Sequence, residues 1–320
     1  PKVTVFVLCN PHNPSGRVWN KEELLRINDI CEKNGVKVIS DEIHCELIMP
    51  EYTFTPFASV SDECRDNSII LNSPSKSFNI AGLQIANIIC SDQTLRRRID
   101  RALNINEVCD VNPFGVIALQ EAYNNGEDWL NELNQYLYDN YKTLKDFFTE
   151  YLPKLEVIRL EGTYLVWIDI SRIELTADEA AKKLLDNAKV KINSGTMYGR
   201  KEGFCYLRIN IACTRANLME GLKRMGRELG VYMEDDDEHG CHHKVHTLGA
   251  EGQHRAHHRA KTGTGHPVEL IQQGDEEHEP APVHPFRRLG RTGDGKGLVA
   301  HGKDHVGAAQ AVAAVALQHG

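Results

Sequence analysis

"NSIILNSPSKSF" (residues 67–78) runs from a β-branched apolar stretch straight into a corner made of Ser73, Pro74 and Ser75, with Lys76 next. The first half has the composition of a short buried strand. The second half reads as a turn, because proline cannot donate to a strand ladder and serine hydroxyls compete for local backbone groups. Two hydroxyls beside nearby backbone amides can hold an anion. A lysine at such a corner is either ordinary surface charge or an amine kept half desolvated, able to form a Schiff base. The other strand ends decide between the two.

Outward from this corner, "VTVFVLC" (3–9), "VKVISDE" (36–42) and "LQIANIIC" (83–90) read as three more strands. Between the first two, Asn20 and Glu23 make a helix start of the capping-box type. Leu24, Ile27 and Cys31 then line one face, and Gly35 ends the helix. Strand, helix and strand in such a short span form a βαβ unit, which predicts a sheet that is at least partly parallel. Helical spacing follows over 113–124 and 127–151. Then come strands in "LEVIRL" (155–160) and "TYLVWIDI" (163–170), a helix over 176–187, the strand "FCYLRINI" (204–211) and a helix over 214–229. The fold class is α/β: a mostly parallel sheet followed by a smaller α+β domain.

The chain has 320 residues and a formal net charge of -8, which gives no reason to expect nucleic acid or an anionic membrane as partner. No apolar run approaches the ~18–20 residues of a bilayer span, and there is no basic-then-apolar opening. Nine cysteines without a C-x-x-C pair fit reduced thiols, so a cytoplasmic location is expected. From His239 the alphabet changes: 13 of the 15 histidines lie in 239–320, which has no Ser, Asn, Tyr, Trp or Met and a single aromatic, Phe286. Such a segment lacks the apolar anchors that offset ordering entropy, so disorder, or a reading-frame or fusion product, is expected. "HGCHH" (239–243) and "HRAHHRA" (254–260) repeat no ligand spacing, and no metal site is expected from them.

Three further groups stand at strand ends, where open α/β sheets bind ligands. In "CNPHNPSG" (9–16) two prolines and Gly16 stiffen the turn and present Asn13 as a donor; plain turn chemistry is the competing reading. In "SDEIHCEL" (40–47) Asp41 and Glu42 end a buried strand, where a carboxylate needs a cationic partner or a capping role. Arg208, inside the strand of "YLRINIACTR" (206–215), suits a carboxylate bidentately or an interstrand ion pair. Asn13, Asp41 and Lys76 lie about thirty residues apart, each at the exit of a different strand. A donor for a phenolic oxygen, a carboxylate for a pyridine nitrogen and an amine for an aldehyde are the parts pyridoxal phosphate needs.

With "NPHNPSGRVW" (10–19), "SDEIHCELI" (40–48) and "SPSKSFNIAGLQ" (73–84), the sequence resembles the class I/II aminotransferase fold of pyridoxal-phosphate enzymes (fold type I). More narrowly it resembles the cystathionine β-lyase (C–S lyase) branch, the PatB/MalY type, over residues 1 to about 233. The resemblance implies that Lys76 binds the cofactor aldehyde and moves the Cα proton. It implies that Asp41 pairs with the pyridine nitrogen, Asn13 and His44 serve the phenolic oxygen, Ser73 and Ser75 flank the phosphate, and Arg208 holds the substrate carboxylate. It also implies a homodimer. The domains expected are 1–135, the C-terminal part of the cofactor-binding large domain, then 136–235, the small domain, and 236–320, the tail.

Gln84 stands where aminotransferases of this fold carry a phosphate-binding arginine, which favours β-elimination of cystathionine-type substrates over transamination. The chain opens on Pro1, and the resemblance expects a preceding half with the rest of the phosphate cradle and an aromatic stacked on the ring. The remaining alternatives are an aminotransferase and an inactive truncated fragment that binds the cofactor poorly and exposes strand edges.

Overall fold

Strand β1 (Val5–Cys9) leads through helix α1 (Lys21–Lys33) to strand β2 (Lys37–Asp41), helix α2 (Asp62–Asp66), strand β3 (Ser68–Asn72) and strand β4 (Asn87–Ile89). The structure, a computed structural model, describes residues 3–229 and the two-residue strand Val268–Glu269. The sheet order is β1-β2-β3-β4, with β1, β2 and β3 parallel and β4 antiparallel to β3. Helix α1 starts as its sequence demands. The Asn20 side chain accepts from Glu23 N, and the Glu23 carboxylate accepts from Asn20 N, both at 3.0 Å. Leu24 and Cys31 of α1 pack on Leu8, Val38 and Ile70 of the sheet, with Phe57 closing one end of this core.

Two boundaries differ from expectation. The strand predicted over 83–90 shrinks to Asn87–Ile89, because residues 81–83 form a short 3-10 turn and Gln84 takes a left-handed conformation (φ 50°) that ends extension. The helix predicted over 176–187 is α6 (Ala177–Lys183), followed by a π turn over Leu184–Ala188 and stopped by left-handed Lys189. Helices α2 and α3 (Gln93–Ile105) were not anticipated, although Ser61 and Asp92 cap them with side-chain oxygens.

Helix α4 (Pro113–Asn125) and the 25-residue helix α5 (Glu127–Tyr151) lead to a second sheet. It contains β5 (Glu156–Val157), β6 (Leu165–Asp169), β8 (Asn193–Ser194) and β9 (Tyr206–Asn210) in the antiparallel order β5-β6-β9-β8. Strand β7 (Val190–Lys191) lies just before β8 and pairs instead with Val268–Glu269. Helix α7 (Arg215–Glu228) completes this half. Leu137, Leu144 and Phe148 of α5 meet Leu165 and Ile168 of β6, Leu207 and Ile209 of β9 and Leu222 of α7 in a second core. Each such fully buried side chain contributes roughly 1.5–3 kcal/mol. Leu47 and Met49, from the loop after β2, belong to this second core and join the two sheets.

Strand β1 forms one edge of the first sheet, with Val5, Phe6 and Val7 all exposed. Among the described residues no helix is long and apolar enough to cross a membrane, and no group of three or more His, Cys, Asp or Glu side chains is placed to hold a metal ion. The expectations for the histidine-rich tail, 236–320, fall outside the described residues apart from Val268–Glu269.

Candidate active site

Parallel pairing sets the ends of three strands side by side. Cys9 is level with Asp41, and Asp41 with Leu71. The ladder continues one step further, with Asn10 N donating to Asp41 O (2.9 Å) and Glu42 N to Leu71 O (2.8 Å). Asn13, Asp41 and Lys76 therefore lie at or just beyond the same, C-terminal end of three adjacent strands.

The first loop is tied down at both ends. Asn10 is fully buried; its side chain donates to Thr55 O (3.2 Å) and accepts from Trp19 N (3.2 Å). Gly16 sits at φ +70°, and its carbonyl accepts from Glu161 N (2.8 Å) and Gly162 N (3.0 Å) at the entry to the second sheet. That backbone angle favours glycine, and a Cβ there would lie 2.5 Å from Leu160 Cδ1, so the Leu160 side chain would have to shift. The buried Glu161 carboxylate strengthens the joint by accepting from Val18 N (2.9 Å) and pairing with Arg159 (2.7 Å). Held this way, Asn13 meets Arg208 of β9, whose Nη1 donates to Asn13 Oδ1 at 3.0 Å. That bond commits the Asn13 amide oxygen and leaves its NH2 group as the donor. Arg208 is itself buried, 5% exposed.

Asp41 ends β2, where burial pushes its carboxyl above the usual carboxylate range; the Ile43 N–H (3.2 Å) and the Lys76 ammonium oppose that shift. His44 is 4% exposed and meets the Tyr164 ring edge-on at 5.6 Å between centroids. Its imidazole is pushed down to about 3, mainly by burial and further by the positive charges of Lys76 and Arg208. It is therefore neutral at ordinary pH, and the field links it to both cationic residues of the site. Lys76 is half-buried in the turn after β3. Ser73 faces inward: its hydroxyl donates to Ile85 O (2.6 Å) and accepts from Ser75 N (3.1 Å), which shapes the turn beneath Lys76. Ser75 is half-buried on the same turn, its carbonyl accepting from Ile80 N (3.1 Å).

These residues fit the ring end of pyridoxal phosphate. His44 Nδ1 is buried without a hydrogen-bond partner, and such an atom is costly unless something outside the chain satisfies it. The Asp41 carboxylate, disfavoured by burial, is matched to a cation such as a protonated ring nitrogen. The phenolic oxygen and the protonated ring nitrogen of pyridoxal phosphate have the chemistry that would answer these two needs.

Sequence reasoning missed three contributors. Glu46 Oε2 accepts from the Ser77 hydroxyl (2.6 Å), fastening the Lys76 turn to the loop after β2. Tyr123 of α4 donates to Asn72 Oδ1 (2.6 Å) at the end of β3. Tyr198 lies under the Arg208 guanidinium. Of the three, only Tyr198 stood beside a readable signal, the glycine-bounded run from Gly195 to Gly203.

Fold and site together define a known class: the chain belongs to the aminotransferase class I and II family, which it matches over residues 1–225. It is 42% identical over 226 residues to cystathionine beta-lyase PatB of Bacillus subtilis (strain 168), covering 70% of this chain and 58% of that protein. It is 34% identical over 223 residues to protein MalY of Escherichia coli (strain K12), covering 69% and 56%. Among solved structures it is similar to cystalysin from Treponema denticola, which contains a pyridoxal 5'-phosphate cofactor, with a TM-score of 0.69 at 33% identity over 71% of this chain and 57% of that one. The pyridoxal-phosphate-bound C–S lyase from Staphylococcus hominis gives a TM-score of 0.64 at 37% identity over 71% and 58%. The chain thus spans less than two thirds of the length of these relatives.

Proposed function

We propose that the protein to which this chain belongs is a pyridoxal-phosphate-dependent carbon–sulfur β-lyase. It would convert L-cystathionine or a related cysteine conjugate, with one water, to a thiol, pyruvate and ammonia. The observation that carries the reading is the placing of Asn13, Asp41 and Lys76 at the C-terminal strand ends of the first sheet, with Arg208 of the second sheet brought to them by its 3.0 Å bond to Asn13. When bound, pyridoxal phosphate supplies an electron sink for a carbanion at the substrate Cα.

The chain's residues would then act as follows. Lys76 Nζ would hold the cofactor through its aldehyde and would serve as the base for the substrate Cα proton. Asp41 keeps the ring nitrogen protonated. Asn13, through its NH2, and His44, through its unpartnered Nδ1, serve the phenolic oxygen. Ser75 contacts the phosphate, with Ser73 shaping the turn below. Arg208 takes the substrate carboxylate along its forked edge.

Elimination is favoured over transamination by the names of the relatives and by Gln84 at the position where the resemblance expects an arginine. The domain division we propose is 1–135 and 136–235, falling within α5, whose buried residues begin at Leu137. We place the complete enzyme in the cytosol as a homodimer acting on amino acids. The test supplies the protein and pyridoxal phosphate with L-cystathionine and no 2-oxo acid. Release of thiol and pyruvate is expected; turnover that needs an added 2-oxo acid identifies an aminotransferase and overturns the lyase reading.

A further inference from the structure

The loop between β8 and β9 is built far more tightly than a connection between neighbouring antiparallel strands needs. At its base Gly195 and Gly203 approach so closely that a Cβ on either would overlap the other's carbonyl oxygen. Tyr198 N donates to Gly195 O (2.9 Å) and Gly203 N to Gly199 O (2.7 Å). Asp178, in the first turn of α6, accepts the hydroxyls of Ser194 and Thr196 at 2.5 Å each. What the loop holds in place is Tyr198. Its hydroxyl accepts from Asn193 Nδ2 (3.1 Å), and its ring meets Trp167 edge-on at 5.8 Å. The Arg208 guanidinium carbon lies 4.7 Å over the centroid of that ring. Trp167 and Asn193 are the two residues paired with Arg208 across β6 and β8, so the cage is drawn from every strand that borders the arginine.

We propose that Tyr198 is a positioning residue for substrate recognition. Its ring covers one face of the Arg208 guanidinium while Asn13 holds Nη1, and together they set the plane in which an α-amino acid carboxylate is received. A guanidinium binds a carboxylate bidentately only when the two groups are close to coplanar, so a ring that blocks one face restricts the arginine to its forked edge. The electrostatic attraction between cation and ring adds to the restraint. The inference rests on the reading of Arg208 as the carboxylate-binding residue.

The test uses two readouts on the full chain. In the first, phenylglyoxal, which modifies arginines, is applied to the parent, Tyr198→Leu and Tyr198→Phe, and modification of each arginine is followed by mass spectrometry. Arg208 is expected to react about tenfold faster in Tyr198→Leu, with exposed arginines such as Arg65 unchanged, while Tyr198→Phe, which keeps the ring, recovers the parent's protection. In the second, the chain loaded with pyridoxal phosphate is titrated with L-alanine and with L-alaninamide, which lacks the carboxylate. Tyr198→Leu is expected to raise the Kd for L-alanine about tenfold, ~1.4 kcal/mol, and to leave that for the amide unchanged. Equal Arg208 reactivity in parent and Tyr198→Leu overturns the inference, as does an equal loss of affinity for acid and amide. If the parent binds neither ligand, as the truncated-fragment alternative expects, the phenylglyoxal result still decides whether Tyr198 shields Arg208.

Discussion

Glu42→Gln is expected to stabilise the protein at pH 8 and to leave it nearly unchanged at acid pH. Glu42 follows Asp41 at the end of β2 and is 4% exposed. Its Oε1 accepts from the Ser40 hydroxyl and from Phe57 N, both at 2.9 Å. Burial pushes its carboxyl from 4.5 up to about 7; the charges of Asp41 and Glu46 push the same way, and the two hydrogen bonds oppose them. Between pH 4.5 and 7 the folded chain therefore keeps a proton that the unfolded chain has released. Stability falls across that window by about 1.4 kcal/mol per pH unit, and the loss is complete above pH 7, at about 3 kcal/mol. Glutamine keeps an acceptor oxygen for Ser40 and Phe57, offers an NH2 where the acid had its OH, and never ionises. At pH 8 the variant should exceed the parent by up to about 3 kcal/mol, and at pH 5 by less than about 1 kcal/mol. Urea unfolding followed by tryptophan fluorescence at the two pH values measures the difference. An advantage of the same size at both, or none at pH 8, refutes the claim that the folded chain holds Glu42 protonated. A neutral Glu42 would also spare Asp41 a second negative charge beside it.

Asn13→Ala removes the 3.0 Å bond to a buried guanidinium and should lower stability by about 1.5–3 kcal/mol, the range for hydrogen bonds to charged groups. An unchanged urea midpoint would show that Arg208 does not depend on Asn13. Gly16→Ala places a side chain at a backbone angle that favours glycine and makes the Leu160 side chain shift, and should cost about 1–3 kcal/mol, read as a lowered Tm. A Tm equal to the parent's would mean that the joint between the two sheets yields to make room.

What could be read from the sequence was whatever its chemistry determines locally. The reciprocal Asn20–Glu23 cap and the bounds of α5 are short-range matters of hydrogen-bond supply and periodicity, and both stand where expected. The spacing of Asn13, Asp41 and Lys76 was legible because parallel strands in register turn a regular interval along the chain into neighbouring positions at one edge. Gln84 was not legible in the same way: nothing in "LQIANIIC" announces a left-handed residue, and the shortened β4 follows from that residue and the 3-10 turn it ends. Helix α3 was overlooked although Asp92 caps it and Leu95, Ile99 and Leu103 fall on one side, because none of its residues is buried and its composition is dominated by charge. The inward turn of Ser73 toward Ile85 and the cage around Arg208 depend on side chains that meet only after distant segments pack, which no local pattern encodes.

The Asn13–Arg208 bond spans 195 positions along the chain, and the Gly16 joint to Glu161 and Gly162 spans 145 and 146. Contacts of such high sequence separation carry the largest loop-closure entropy and are expected to form after the nearer contacts within each sheet. Asp41 and Lys76 share a sheet and can be brought near each other early; Arg208 cannot join them until both halves are built. If Lys76 and Arg208 have the roles proposed above, the two parts of the site would mature at different times, and a partly folded chain would present the amine before the group that receives the substrate carboxylate.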